Sequence, residues 1–376
     1  MDAVIVGAGT FGASLAWRLV RAGERVTLVD QYEPGDGRAS SGGETRLLRC
    51  AHGPDREYPL LARRARALWR ELEQESGERL YVECGLAWFA HREDGWEAES
   101  ERALAALAIP CERVDAARLY PSFRADDLVF TLLEPEAGVL RAQRAVRALA
   151  AQARRHGARL LRARARPDGA RARLEDGTCL EGDVVVWACG AWLPRLFPGV
   201  VELTVTLQEL LFVDGGPAWR APGVPAWVDY DRARYGTPDL DGLGVKAAVD
   251  EEGPEVDPDD ELRCAATTEP RVRSYLAERF PALAEAPLRG ARACRYELTR
   301  DTHFVAARHP EHPAVWLVGG GSGHGFKHGP ALAERLAAAF EGAPLPERFG
   351  LGPRAPSRSM RTAGAAASAG RQGDPA

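Results

Sequence analysis

Lysine is nearly absent from this 376-residue chain: of 49 lysines and arginines together, only Lys246 and Lys327 are lysine. That scarcity marks the two exceptions as more than surface decoration. Cysteine is scattered, at positions 50, 84, 111, 179, 189, 264 and 294, with no C-x-x-C pair. This argues against a disulfide framework and a structural zinc site, and most of the seven read as small buried apolar residues. No apolar run reaches the roughly 18 residues that a membrane span needs. A net charge of −5 gives no reason to expect nucleic acid or an anionic membrane as partner. No basic-then-apolar leader precedes the first strand-like residues, so a cytoplasmic location is the default expectation.

What is present begins at once. Val4-Ile5-Val6 is an apolar run, followed by Gly7-Ala8-Gly9-Thr10-Phe11-Gly12. Phe11, Leu15 and Leu19 then repeat at helical spacing beside Ala16 and Val20, and Gly23 sits where a helix C-terminal glycine is expected. Arg25 to Val29 reads as a second strand, closed by Asp30. Strand, glycine turn, helix, strand and acid is the order of a dinucleotide-binding unit. Gly7 serves the tight turn, Gly9 the close approach of a pyrophosphate and Gly12 the packing of helix on strand. Asp30 can accept from a ribose diol. Whether the dinucleotide is FAD or a nicotinamide stays open on this stretch alone.

Further along, Tyr58 to Glu75 predicts a helix with Leu60, Leu61, Ala65, Leu68, Trp69 and Leu72 inward, and Tyr81 to Ala90 predicts strand around Gly85. Leu140 to His156 predicts a long helix; its arginines read as a solvated face, because no aromatic residues interleave to stack bases. Val184 to Trp187 is a continuous apolar run, as in a buried parallel strand, and leads into Cys189-Gly190-Ala191-Trp192. Pieces 202–213, 225–230, 243–249 and 290–298 predict an antiparallel sheet, with one helix at Pro270 to Ala284. Val315 to Val318 is another apolar strand, entering Gly319-Gly-Gly-Ser-Gly-His-Gly-Phe-Lys327 and a helix from about Pro330. His309-Pro-Glu-His312 reads as a turn between strands, so no metal site is expected. From 352 the tail has no periodicity and predicts disorder.

Four stretches together resemble the monomeric sarcosine oxidase and N-methyltryptophan oxidase group of the D-amino-acid-oxidase-like FAD-dependent oxidoreductases: the opening glycine unit, Glu44-Thr-Arg-Leu-Leu-Arg49, Cys189-Gly-Ala-Trp192 and Gly323-His-Gly-Phe-Lys327. The resemblance implies an α/β fold in which a Rossmann-type FAD-binding domain (1–80, 140–200, 298–350) is interleaved with an antiparallel-sheet substrate domain (81–139, 201–297). It implies FAD, with Gly7, Gly9, Thr10, Phe11, Gly12, Asp30, Gln31, Ser41, Thr45, Arg46, Gly190, Trp192, Gly321, Gly323, His324, Gly325, Phe326 and Lys327 around it, and a thioether from Cys294 to the flavin. Arg292 or Arg295 could lower the thiol pKa.

By the same resemblance, Arg49 and Lys327 grip a substrate carboxylate, Lys246 assists reduction of O2, and Tyr235 and Tyr296 line the pocket. The chain departs from the family pattern at Asp250 and Gly42, where histidines are common; an acid at 250 could bind or deprotonate an ammonium. The implied activity is oxidation of a secondary N-alkyl or cyclic α-amino acid to an imine, with O2 reduced to H2O2, by a monomer with no nucleic-acid or membrane partner. The rival readings are a flavin dehydrogenase using another acceptor, an NAD(P)-dependent oxidoreductase and an inactive flavoprotein binding module.

Overall fold

The computed structural model describes residues 1–356, so most of the tail expected to be disordered lies outside the described residues. The chain opens with β1 (Asp2–Val6), α1 (Thr10–Arg21), β2 (Arg25–Asp30), β3 (Thr45–Leu48) and α2 (Glu57–Ser76). Next come β4 (Tyr81–Glu83), β5 (Leu86–Ala90), α3 (Trp96–Ala106), β6 (Glu112–Val114), β7 (Phe130–Glu134), β8 (Gly138–Arg141) and α4 (Ala142–Arg155). Strands β9 (Arg159–Arg162), β10 (Ala165–Asp168), β11 (Arg171–Leu174), β12 (Cys179–Leu180) and β13 (Val184–Trp187) lead into the short α5 (Leu193–Leu196). Then follow β14 (Thr204–Val213), β15 (Ala226–Asp229), β16 (Arg234–Thr237), β17 (Val245–Val249), α6 (Thr268–Arg279) and α7 (Pro281–Ala284). The last elements are β18 (Leu288–Leu298), β19 (Val305–Arg308), β20 (Val315–Gly319) and α8 (Gly329–Phe340).

Six strands form one sheet in the order β19-β20-β13-β1-β2-β9. All neighbours are parallel except β19 and β20. The apolar runs of β1 and β13 follow from burial on both faces. Ala3, Ile5, Val184 and Val186 pack with α1, α2, α4 and α8, while Val4, Val6, Val185 and Trp187 pack with β10–β12 and Phe197. The glycine turn lies where β1 meets α1, at the C-terminal edge of this sheet, the end at which open parallel sheets take their ligands.

An eight-stranded sheet has the order β18-β14-β17-β16-β15-β5-β7-β6, with only β15 and β5 parallel. One face is sealed by α6 and α7 through Leu276, Phe280 and Leu283 against Val213, Trp227 and Val245. A small sheet, β3-β8-β4, stands beside it.

Four expectations change. Leu60 is exposed, because Leu61 rather than Leu60 shares the inner face of α2. The predicted helix at 140 begins only at Ala142, since Leu140 and Arg141 pair with Arg46 and Thr45 as strand. Strand β16 lies in a loop-like stretch rich in Asp, Gly and Pro and had no sequence signal, and the helix at 270–284 breaks at Phe280 ahead of Pro281. The His309–His312 stretch is the expected turn between β19 and β20.

Candidate active site

The glycine turn is held from behind. Gly7 has φ +103°, a left-handed conformation that a side chain would strain, and an added Cβ would stand 2.3 Å from the Ala188 carbonyl oxygen. A Cβ on Gly12 would stand 1.8 Å from the Gly7 oxygen. The turn therefore sits directly against the end of β13, and α1 against the turn. Its N-terminal cap, Gly9, supplies no side-chain bond to the first-turn N–H groups. Those groups face a cleft lined by Gly7, Gly9, Thr10, Phe11, Asp30, Gln31, Ser41, Arg46, Gly190, Trp192, Gly321, Gly323, Gly325 and Phe326. An uncapped helix N-terminus of this kind suits a pyrophosphate.

Asp30 accepts the Ala8 N–H at 2.6 Å and the Tyr32 N–H at 2.8 Å. Burial pushes its carboxyl up while those two bonds oppose the rise. Its first task is thus to brace the turn. Arg46 donates to the carbonyl oxygens of Ser40, Gly42 and Thr45 and pins the loop between β2 and β3 along the cleft.

Glu297 had no cue in the sequence; it also lines the cleft, and burial pushes its carboxyl up. Nor had Tyr32, which lies under the Arg38 guanidinium at 3.7 Å.

Strand register then gathers the residues of the larger sheet. Directly paired residues share a face, and so do residues two apart. Gln208 pairs with Cys294, Thr206 with Tyr296 and Leu210 with Arg292. Leu210 and Phe212 pair with Ala248 and Lys246, and Ala248 and Lys246 pair with Tyr235 and Thr237. Lys246, Tyr235, Tyr296, Cys294 and Arg292 therefore lie on one face, opposite the face that α6 covers. Asp250, one step beyond β17, continues the Lys246–Ala248 row. Arg295 alternates to the other side of β18, where it donates to the carbonyl oxygens of Arg38 and Asp260. Of the two arginines proposed beside Cys294, only Arg292 shares its face, and that guanidinium is paired with Glu44 at 2.6 Å.

Lys246 is fully buried. Its ammonium lies 5.0 Å from the Tyr235 ring centroid and donates to the Thr45 carbonyl at 3.5 Å. Burial, with Arg46 next, pushes it down to about 7. The Tyr235 and Tyr296 hydroxyls are 3.4 Å apart, and burial, with Tyr296 next, holds the Tyr235 phenol well above its usual value.

Arg49 and Lys327 reach the same chamber from other elements. Arg49 follows β3, is buried, donates to the Ala51 carbonyl and lies 5.0 Å over Trp88 on the same sheet face. Burial lowers it to about 10, against the pull of Glu134 and Asp250. Glu134 had no signal in the sequence. It accepts the Cys50 N–H at 2.7 Å and the Trp88 indole N–H at 2.8 Å, so it fixes the turn that carries Arg49. Lys327 lies in a short turn before α8; its ammonium donates to the His324 carbonyl at 3.0 Å. Trp69, from α2, holds that turn by donating to the Lys327 carbonyl at 2.8 Å and stacking on Phe326. Burial, then Arg49, pushes Lys327 well below its ordinary value.

A family model described as FAD dependent oxidoreductase, DAO, matches residues 2–339. The chain belongs to the DAO family of FAD-dependent oxidoreductases. Monomeric sarcosine oxidase of Bacillus sp. (strain B-0618) is 29% identical over 357 residues, 89% of this chain and 91% of that protein. N-methyl-L-tryptophan oxidase of Yersinia pestis is 28% identical over 369 residues, 92% and 96% of the two chains. Among solved structures, L-proline dehydrogenase from P. horikoshii aligns with a TM-score of 0.79 at 20% identity, over 89% of this chain and 92% of that one. That likeness is one of fold.

The residues fit FAD. A Cβ at Gly7 would strike the Ala188 carbonyl and one at Gly9 would stand 3.2 Å from the Ser41 hydroxyl, the α1 N–H groups are uncapped, and the buried Ser41 hydroxyl in the cleft wall has no hydrogen-bond partner. Gly12 and Thr45 are not among the residues that line the cleft. The His324 ring is turned out of the cleft, its Nε2 3.0 Å from the Thr302 carbonyl. Among the described residues no helix is long and apolar enough to cross a membrane.

Proposed function

We propose that this DAO-family chain oxidises the carbon–nitrogen bond of a secondary or cyclic α-amino acid and passes the electrons to O2. The observation that carries the reading is the common face of Lys246, Tyr235, Tyr296, Asp250 and Cys294, with Arg49 laid over Trp88 on that face. Two buried cations with depressed pKa values form a site that an anion stabilises. The Arg49 fork takes a carboxylate bidentately, and Lys327 adds a point charge.

Bound FAD would supply the two-electron acceptor for the hydrogen leaving the carbon next to nitrogen. The chain's own residues do the rest. Arg49 and Lys327 orient the substrate by its carboxylate. Burial of the chamber favours the neutral amine, whose lone pair the reaction needs. Asp250 takes the ammonium proton, and the paired tyrosine hydroxyls bound the pocket. Lys246, in its protonated form, provides positive charge where O2 takes its first electron. The imine leaves, and peroxide follows.

The same reading attaches the flavin through Cys294 and divides the chain into an FAD-binding unit (1–80, 140–200, 298–350) and a substrate unit (81–139, 201–297). The two large sheets support that division. The names of the two enzymes of 28% and 29% identity support the substrate class.

The test is anaerobic mixing of the yellow enzyme with N-methyl or cyclic amino acids and with the matching amines that lack a carboxylate. Bleaching of the visible flavin band by the acids alone supports the reading. Equal bleaching by both sets removes the role of Arg49 and Lys327.

A further inference from the structure

Behind the Arg49–Lys327 pair lies a group of side chains that the proposed reaction does not use. His52, His324 and His328 come together from the turn after β3, from the glycine loop and from the start of α8. Their ring centroids are 5.4 to 5.9 Å apart, and one ring nitrogen of each lies within 4.8 Å of the other two. Tyr58 and Phe304 close the surroundings with apolar ring faces. His52 and His328 are buried, His328 completely.

Two of the three rings are already oriented by backbone carbonyls. His52 Nδ1 is 2.8 Å from the Cys50 oxygen and His324 Nε2 is 3.0 Å from the Thr302 oxygen. A carbonyl can only accept, so each of these nitrogens carries the proton and the opposite nitrogen keeps its lone pair. Metal-bound histidines are held in this way, by a carbonyl or carboxylate on the second nitrogen. Buried His52 Nε2 and both nitrogens of His328 have no hydrogen-bond partner within the protein. Buried polar atoms left in this state are costly, and they ask for an occupant.

We propose that His52, His324 and His328 bind a divalent transition-metal ion, with Zn²⁺ the probe of choice. Three neutral imidazoles without a carboxylate select zinc over calcium or magnesium. Tetrahedral bonds of 2.0–2.1 Å require ligand nitrogens about 3.3 Å apart, so the ion draws the three rings inward. A fourth position stays open to water. Burial first, then nearby Arg49 and Lys327, favour unprotonated imidazole, the form that ligates, but the two cations also repel a metal ion. The site is accordingly weaker than an uncharged three-histidine site, and a chelator strips it. His52 is three residues past Arg49 and His328 follows Lys327 directly, so the ion clamps the two turns that present these cations, whatever anion they hold.

The test uses holoenzyme stripped with EDTA, equilibrated with ZnCl₂ and desalted, with zinc and flavin measured on the same sample. About one zinc per chain is expected for the unaltered enzyme. Zinc should be lost in His52→Phe and His328→Phe, and retained when His309 and His312 of the β19–β20 turn are replaced by alanine. Zinc-edge X-ray absorption of the unaltered enzyme needs no variant: three imidazole shells at about 2.0 Å are expected. No bound zinc, fewer than three imidazole ligands, or zinc lost only with His309 and His312 overturns the proposal.

Discussion

The Lys246 ammonium reaches from the central part of the eight-stranded sheet to the Thr45 carbonyl of the small sheet, while lying over the Tyr235 ring. A cation in this place has lost most of its water, and its charge acts at short range. Replacing it with methionine keeps the length of the side chain and removes the charge. Reoxidation of the reduced enzyme by O2 is expected to slow about a hundredfold or more, the scale of one lost electrostatic stabiliser. Anaerobic reduction by substrate should change far less. Stopped-flow measurement of the two half-reactions separates them, and equal losses in both would remove Lys246 from the oxygen step.

The same burial has a consequence for stability. Lys246 falls from its ordinary 10.5 to about 7 in the folded chain. Between these values the unfolded chain binds a proton that the folded chain does not, so stability rises with pH across the window. The penalty is full at and below about pH 7 and fades towards 10.5. Lys246→Met, compared in flavin-free protein in a Cys294→Ala background, should therefore raise the melting temperature at pH 7 and lose this advantage by pH 10. A gain that stays constant with pH would mean that packing, not charge, is the cause.

Cys294 faces the chamber from β18, buried and in register with Gln208. If the flavin is joined there, acid-precipitated enzyme stays yellow and the colour of Cys294→Ala moves to the supernatant. Colour released wholly from the unaltered protein would exclude the thioether.

Arg49 is expected to act through its fork and not through charge alone. Arg49→Lys should raise KM for the amino acid with little change in flavin content. Arg49→Ala leaves Glu134 facing a chamber short of one cation and should cost about 2–5 kcal/mol in kcat/KM, the usual scale for a truncated buried charge. Steady-state kinetics with a carboxylate-bearing substrate and its amine analogue measures both. An equal loss on the two substrates would place Arg49 outside carboxylate recognition.

Much of this arrangement was legible in residues whose constraints are local. Gly7, Gly9 and Gly12 carry the turn, because that geometry admits no side chain at two of them, and Val184 to Trp187 reads as a buried strand because both its faces are covered. Lys246 and Lys327 stood out by the scarcity of lysine. Long-range register was not legible. Arg292 and Arg295 look equivalent in sequence, yet strand alternation puts only Arg292 on the side of Cys294. Glu134 and Trp69 position Arg49 and Lys327 through hydrogen bonds that span 84 and 258 positions of sequence. His52, His324 and His328 meet only because the turn after β3 folds against the start of α8.

The central claim is that this chamber oxidises amines that carry a carboxylate and delivers the electrons to oxygen. Its most direct test is aerobic turnover of the purified enzyme on a panel of N-methyl and cyclic α-amino acids, with O2 consumption and peroxide followed together. One peroxide for each O2 consumed, with the carboxylate-bearing members and not their decarboxylated analogues, is the predicted result. Turnover that proceeds only with an added quinone or protein acceptor, or no turnover on any member, would contradict it.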